Sequence, residues 1–506
     1  MKKKLKYDII CNSSDRSGFK ELRGIYPRAP IWQTIVLAGI TVPYVEYMCQ
    51  EKNMVIRHTE LKKMEQLYEE NGNQLIVLYG REGCDKEAFL KLFCKGKKFF
   101  YYRARQASEQ EQRRQIGHEI ESQYSVSLSK YTYAEFFSRI RSGNAAKLIV
   151  IIDEFQYIAK RDNEFFEAIL KLKAKKLYPG PVMIVLASSS VAWVEQELDG
   201  RIEENVKKIN ARIKLDDLKF IDMVRSYPEY TVSDCVKAYG VLGGVSSYIT
   251  RWNSKKDIRT NICKNILSPN GYLFAEAERF VGSELRELAI YDTILASIAA
   301  GHRKLNDLFH VTGFSRAKIS VYMKNLAAFE VVEKVNSFET GGWENAQKGI
   351  YQIRNNYVNF WFRFVYPHLS DLYMMTPETF YDTYIAPDMD DYMSRYFIQV
   401  CLEYLELLNM VDKLPIKIHK AGTWVGKTGN IDIIVQDSVR NNLIGLCNWS
   451  QPKLTYEMCE KLFDTMKKAK LKSNYYYLFS AKAFDEKLLE QSKEDKRLVL
   501  VDMTQL

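Results

Sequence analysis

Leu75-Ile76-Val77-Leu78-Tyr79-Gly80-Arg81-Glu82-Gly83-Cys84-Asp85-Lys86-Glu87 is the stretch on which the fold turns. Its first five residues are apolar without alternation, as in a strand buried on both faces of a parallel sheet. Gly80 ends the run, and a loop and a helix follow as far as Phe93. A strand that passes into a helix this way aims backbone N–H groups and the positive end of the helix dipole at one point, where a phosphate can sit. The full phosphate-loop pattern is G-x-x-x-x-G-K-[ST]. Gly80 and Lys86 occupy their places, while Asp85 replaces the second glycine and Glu87 the hydroxyl residue. Asp accepts left-handed backbone better than most residues, so the loop is expected to close, although its charge opposes phosphate. Glu87 is long enough to reach a magnesium ion, but it is anionic where a hydroxyl is usual. Alone, the loop reads equally well as an ordinary strand–helix turn. Arg81 and Gly83 complete its candidate nucleotide contacts.

A second motif strengthens the first. Leu148-Ile149-Val150-Ile151-Ile152 is another apolar strand, and it ends in Asp153-Glu154. That is a Walker B arrangement: Asp153 would hold Mg²⁺ through water and Glu154 would orient or deprotonate the attacking water. The plain alternative is a carboxylate capping the next helix. Ala187-Ser188-Ser189-Ser190 closes the following strand. Ser188 or Ser189 there faces the γ-phosphate, or caps a helix. Arg201 and Arg212 are further candidates for phosphate contact, and sequence does not choose between them.

Strands at Lys98–Tyr102 and Val182–Ala187 and helices at Glu109–Tyr124 and Glu164–Lys175 alternate with these runs, implying a parallel sheet covered on both faces. Beyond about residue 250 the texture becomes helical. Leu285–Ala300, Lys304–Thr312 and Ser315–Phe329 are followed by a strand pair, Val331–Ser337 and Gly349–Ile353, the layout of a winged helix-turn-helix. A third region has a long helix (Tyr392–Asn409), strands at Ile416–His419, Ile431–Gln436, Asn442–Trp449 and Tyr475–Ser480, and a helix at Thr455–Lys468. The expected domains are 54–250, 251–370 and 371–506, after an unassigned extension of residues 1–53.

The 506 residues, 46% apolar and 27% charged, suit a multidomain globular chain. The net charge of +10 leans toward an anionic partner, or makes a solvated basic surface. Nine cysteines without a C-x-x-C pair argue against a zinc site or a disulfide framework. The apolar run Ile35–Val45 is too short to span a bilayer. A soluble, cytoplasmic protein is expected.

In their order, the segments Leu75–Lys86, Leu148–Phe155, Leu186–Leu198, Tyr239–Tyr248, Tyr357–Pro367, Tyr384–Leu405 and Gly429–Trp449 resemble the archaeal-type ATP-binding proteins. The resemblance runs from about Val55 to the C-terminus. It implies an α/β chain: a P-loop NTPase sheet, a winged-helix module, and a C-terminal α/β domain similar to restriction endonucleases. It also implies ATP with Mg²⁺, held by Gly80–Glu87 and by Asp153 and Glu154. The departures limit the chemistry. Asp85 and Glu87 stand in a loop that commonly ends Gly-Lys-Thr, so weak ATP hydrolysis at most is expected. The nuclease-like pattern needs a helix acid (Glu403), a strand Asp (Asp432), and Glu-x-Lys. Here the last is Leu446-Cys447-Asn448. Leu446 cannot bind a metal and Asn448 cannot act as the cation, so no nuclease activity is expected.

The helix Ser315–Phe329 would be the recognition helix, with Arg316, Lys318, Tyr322 and Lys324 facing double-stranded DNA. Docking of a protein partner is the equal alternative, and Trp343 on the wing would serve either. Tyr357–Phe362 reads as buried core. Two functions follow from these residues: an ATP-binding switch acting through its other modules, or a catalytically dead scaffold that keeps both eroded domains as binding surfaces. The oligomeric state is left open.

Overall fold

The apolar run ahead of the phosphate loop forms β1 (Gln74–Tyr79), buried along its whole length. It belongs to a computed structural model that describes residues 57–140, 147–338, 349–426 and 429–506. These divide into two compact units, one of residues 57–217 and 245–247 and the other of residues 218–244 and 248–506. The extension 1–53 and Trp343 lie outside the described residues. Among the described residues, no helix is long and apolar enough to cross a membrane.

In the first unit, α1 (His58–Glu69) buries Leu61, Met64 and Leu67, three residues apart along one face. Then follow α2 (Lys86–Cys94), β2 (Phe99–Arg103), α3 (Glu109–Tyr124), α4 (Tyr133–Arg139), β3 (Leu148–Asp153), α5 (Asn163–Lys173), β4 (Val182–Ser188) and β5 (Ala211–Lys214). The sheet runs β2-β3-β4-β1-β5, parallel at every pairing. Parallel strands with covered faces explain why β1, β3 and β4 carry no alternation: each is buried throughout. Burying one such Ile, Leu or Val side chain stabilises the fold by about 1.5–3 kcal/mol. Because all five strands run one way, their C-terminal ends lie along a single edge, where ligands of such sheets bind. β4 lies between β1 and β3, so its end, Ser188, stands between the phosphate loop and Asp153.

The second unit starts with α6 (Phe220–Ser226) and α7 (Val232–Leu242). Further on, α8 (Leu288–Ala299), α9 (Leu305–Thr312) and α10 (Arg316–Ala328) precede the antiparallel pair β6 (Val332–Asn336) and β7 (Gly349–Ile353). Ser315 caps α10 by accepting the Lys318 N–H at 3.2 Å, as its sequence position suggests. Tyr357, Val358, Phe360, Trp361 and Phe362 are buried core, again as expected. Next come α11 (Met389–Met410), β8 (Lys420–Val425), β9 (Asn430–Gln436), β10 (Asn442–Asn448), β11 (Lys453–Leu454), α12 (Tyr456–Lys468), β12 (Tyr475–Ser480), β13 (Ala483–Phe484) and β14 (Leu498–Asp502). The larger sheet runs β14-β12-β10-β9-β8, antiparallel from β8 to β10 and parallel from β10 to β14.

One strand falls elsewhere than expected. Ile416–His419 alternates like a strand, but the paired segment is β8, which follows it. Pairing with β9, opposite Gln436 at Lys420, sets that register, and Gly422 breaks the apolar signal that would have revealed it.

Candidate functional site

The phosphate loop closes as a chain of local constraints. The Gly80 N–H donates to the Ser188 carbonyl at 3.2 Å, and the Leu215 N–H donates to the Tyr79 carbonyl at 2.7 Å. A Cβ on Gly80 would lie 2.6 Å from the Leu215 carbonyl oxygen, so only glycine fits. Gly83 has φ +85°, and its carbonyl accepts the Ser247 N–H at 3.0 Å. Asp85 adopts left-handed backbone (φ 57°, ψ 40°) at the N-cap of α2. An aspartate therefore does the conformational task of the missing glycine. Lys86 is buried, and its ammonium donates to the Gly80 carbonyl at 2.8 Å, with Cys84 Sγ at 4.0 Å. Arg81, expected to contact nucleotide, is instead paired with Asp217, its Nε donating at 2.9 Å. Glu87 is exposed and pairs with Lys91 at 2.7 Å. Its carboxyl lies below the usual range, chiefly through the bond from Lys91 and further through the charge of Arg103.

The acidic pair occupies the strand edge across β4. Asp153 Oδ2 accepts the Tyr101 hydroxyl at 2.8 Å, Oδ1 accepts the Glu154 N–H at 3.0 Å, and Arg103 Nε lies 3.9 Å from Oδ2. Burial, then the charge of Glu154, raises the Asp153 pKa; the Tyr101 bond, Lys86 and Arg103 pull it down. Glu154 has φ 54°, an uncommon conformation for a residue other than glycine. Its Oε2 accepts three bonds: the Ser189 N–H at 3.1 Å, the Ser189 hydroxyl at 2.6 Å and Gln156 Nε2 at 2.6 Å. Ser189 thus sits where the sequence put it, but it is bonded to Glu154. Arg201 donates to the carbonyls of Ala159 and Lys160, and Arg212 pairs with Asp199, so both arginines are held by protein groups.

Three residues escaped the sequence reading. Arg57 is 6% exposed; its Nη1 donates to the Asp216 carbonyl at 2.6 Å, while Nε and Nη2 have no hydrogen-bond partner. A buried guanidinium with open donors suits an anionic or carbonyl-bearing ligand. The i, i+3 spacing of Arg57, at the N-cap of α1, and Glu60, in its first turn, was its only sequence signal, and the two lie 3.7 Å apart. Tyr101 and Arg103 alternate along β2, and only the pairing of Arg103 with Asp153 reveals what they face. Among the described residues, no group of three or more His, Cys, Asp and Glu side chains is placed to hold a metal ion.

In the second unit, the nuclease-like residues do not converge. Asp432 Oδ2 accepts the Cys447 N–H at 2.9 Å, and burial pushes its pKa up to about 6. Cys401 on α11 neighbours Cys447 and Asp432. Glu403 lies two residues further along the same helix, roughly 200° around its axis. It accepts the Phe220 N–H at 2.8 Å and the Tyr239 hydroxyl at 3.2 Å. Leu446 packs among core side chains. Asn448 closes a turn, bonded both ways with Gln451 at 3.1 Å. On α10, Arg316, Lys318 and Lys324 are exposed. Arg316 lies over the Phe309 ring at 4.2 Å and donates to Asn306, and Lys318 lies over Phe314 at 4.8 Å. Tyr322 is half-buried and bonded to Glu287.

Two known families match parts of the chain. Residues 54–251 match the family described as an ATPase domain predominantly from archaea. Residues 361–462 match a family of archaeal and bacterial proteins of unknown function. An uncharacterised protein of Methanocaldococcus jannaschii, MJECL04, is 24% identical over 401 residues, covering 79% of this chain and 88% of that one. Among solved structures, the Walker-type ATPase paby2304 of Pyrococcus abyssi matches with 17% identity and a TM-score of 0.41, over 61% of this chain and 96% of its own. The Aeropyrum pernix ORC2 protein matches with 12% identity and a TM-score of 0.41, over 64% and 95%. Residues 54–251 are thus an ATPase domain of the predominantly archaeal kind, and residues 361–462 belong to a domain shared among archaeal and bacterial proteins of unknown function.

Proposed function

We propose that this protein is an ATP-binding switch in which nucleotide is held with little turnover and DNA or a protein is engaged through a winged helix. The phosphate loop carries the reading: it is already closed around a buried Lys86, with left-handed Asp85 opening α2 toward the site. Bound ATP would place its phosphates against the Gly80–Glu87 amides and Lys86, and the residues present fit that role. Glu154 holds three donors on one oxygen, which commits that oxygen to protein groups rather than to an attacking water. The helices α8 to α10 with β6 and β7 form the winged-helix candidate, and exposed Arg316, Lys318 and Lys324 suit phosphate contacts. The C-terminal sheet retains Asp432 without the partners that metal-dependent cleavage needs, which supports an inactive nuclease-like domain.

Thermal unfolding of the full chain with and without ATP tests the reading, because a ligand that binds the folded state adds about 2.7 kcal/mol at a hundredfold excess over Kd. A rise in Tm that disappears in Lys86→Ala is expected. An unchanged Tm at millimolar ATP removes the nucleotide reading. It would favour the second one, a scaffold that keeps both eroded sites as binding surfaces, toward which the Arg81–Asp217 pairing already points.

A further inference from the structure

In a loop of the pattern G-x-x-x-x-G-K-[ST], the hydroxyl after the lysine and the strand-ending acid flank a magnesium ion. This inference rests on the nucleotide reading above and concerns how that site is charged. Here the two flanking positions are both carboxylates, Glu87 and Asp153. Magnesium takes oxygen ligands at about 2.0–2.1 Å in octahedral geometry and parts with water reluctantly. Each Asp153 oxygen already serves one donor, Oδ1 the Glu154 N–H at 3.0 Å and Oδ2 the Tyr101 hydroxyl at 2.8 Å, so an incoming ion would have to compete for the lone pairs that remain. Glu87 is drawn along α2 to Lys91 at 2.7 Å. A cation already stands beside the pair, the Arg103 guanidinium, with Nε 3.9 Å from Asp153 Oδ2. The residues present do not fit the usual magnesium arrangement.

The position of Arg103 follows from the sheet. Side chains alternate along a strand, so Tyr101 and Arg103 leave β2 on the same face. The parallel register sets Arg103 opposite Asp153. Its charge also draws the Glu87 carboxyl downward, so it is felt at both flanking positions. The Arg103 side chain is 58% exposed while that of Asp153 is 5% exposed, which leaves guanidinium donors open to a ligand on the sheet edge. A planar guanidinium fork matches phosphate oxygens and carries its charge at any physiological pH.

We propose that Arg103 supplies the positive charge that a magnesium ion supplies in other phosphate-loop sites, so that this protein binds ATP as the metal-free nucleotide. Asp153 and Tyr101 act as positioning residues, holding the guanidinium at the strand edge. Lys86 provides the second cation from the loop side.

Calorimetric titration of the full chain with ATP, once in EDTA and once in excess magnesium chloride, tests this directly. Wild-type affinities within about threefold of each other are expected, since the resident charge-assisted contact replaces the ion's. Arg103→Gln should weaken binding in EDTA by about tenfold or more, the loss expected for a hydrogen bond to a charged group. Adding magnesium should restore much of it, because Asp153 has then lost its neighbouring cation and can draw the ion; a merely structural role for Arg103 would not create metal dependence. Arg103→Lys should keep metal-free binding. Melting of each variant without nucleotide reports its fold. Wild-type binding only in magnesium, or Arg103→Gln binding unchanged in EDTA, overturns the inference and leaves the nucleotide reading standing. Absence of binding in both buffers removes that reading, and this inference with it.

Discussion

Glu403→Gln separates a charge from a hydrogen-bond acceptor at the start of the second unit. The Glu403 carboxylate accepts the Phe220 N–H, which opens α6, and the Tyr239 hydroxyl from α7. Burial raises its pKa to about 7; the Phe220 bond, Lys219 and Tyr239 oppose the rise, and Glu406 adds to it. The ordinary value is 4.5. At about 1.4 kcal/mol per tenfold change in proton affinity, the difference corresponds to about 3 kcal/mol. The side chain is only half-buried, and solvent screening reduces this to about 2 kcal/mol. The folded-state pKa is raised, so the group's contribution is fully present below pH 4.5 and is lost as pH rises through about 7. Glutamine keeps an acceptor for Phe220 but does not titrate. Hydrogen exchange of the α6 amides, corrected for intrinsic rates and followed in both proteins from acid to mildly alkaline pH, reads the effect where it acts. Protection in the wild type should fall relative to Glu403→Gln as pH passes neutrality, and match or exceed it in acid. Parallel curves, or a variant less protected at alkaline pH, would refute the electrostatic account and leave Glu403 as a packing residue.

Gly244→Ala places a Cβ 2.1 Å from the Leu218 carbonyl oxygen, a backbone atom that cannot step aside. A loss of about 3 kcal/mol or more in denaturant unfolding is expected, at or beyond the upper end for overpacking; a silent substitution would mean that the Leu218–Gly244 contact opens freely. Ser189→Ala removes the 2.6 Å hydroxyl bond on Glu154 Oε2. ATP turnover should rise by about two- to fivefold as that oxygen loses a donor and is freed to meet water, and an unchanged rate in a phosphate-release assay counts against Glu154 as the base. Lys318→Ala with Lys324→Ala should weaken binding to duplex DNA and lower the slope of log K against log salt by about two. An unaltered slope would turn α10 from a DNA surface into a protein-docking one.

What was legible in the chain follows a physical line. β1, β3 and β4 announce themselves because a strand covered on both faces needs an uninterrupted apolar run. The left-handed turn at Asp85 was readable too, since the motif demands that conformation and few residues adopt it. β8 was not, because its sequence Lys-Ala-Gly-Thr-Trp-Val is half-exposed and takes its register from β9. The partners of Asp153 were hidden for a related reason: Tyr101 and Arg103 matter only through cross-strand alignment over some fifty residues of chain. Glu403 was legible as a helix acid, but not the face of α11 on which it projects. A charged residue's type is written locally; its direction depends on tertiary packing.

The short excursion of residues 245–247 into the first unit, where the Ser247 N–H bonds to the Gly83 carbonyl, has a consequence for biosynthesis. All five strands of the sheet are complete once Lys214 has been made, yet the phosphate loop still lacks its last prop. Until Ser247 clears the ribosome, together with α6 and α7 that precede it, the nascent sheet carries an unfinished mouth. A fragment cut after Asp217 would be caught permanently at that stage, and a nucleotide-binding assay on it would underrate the intact protein.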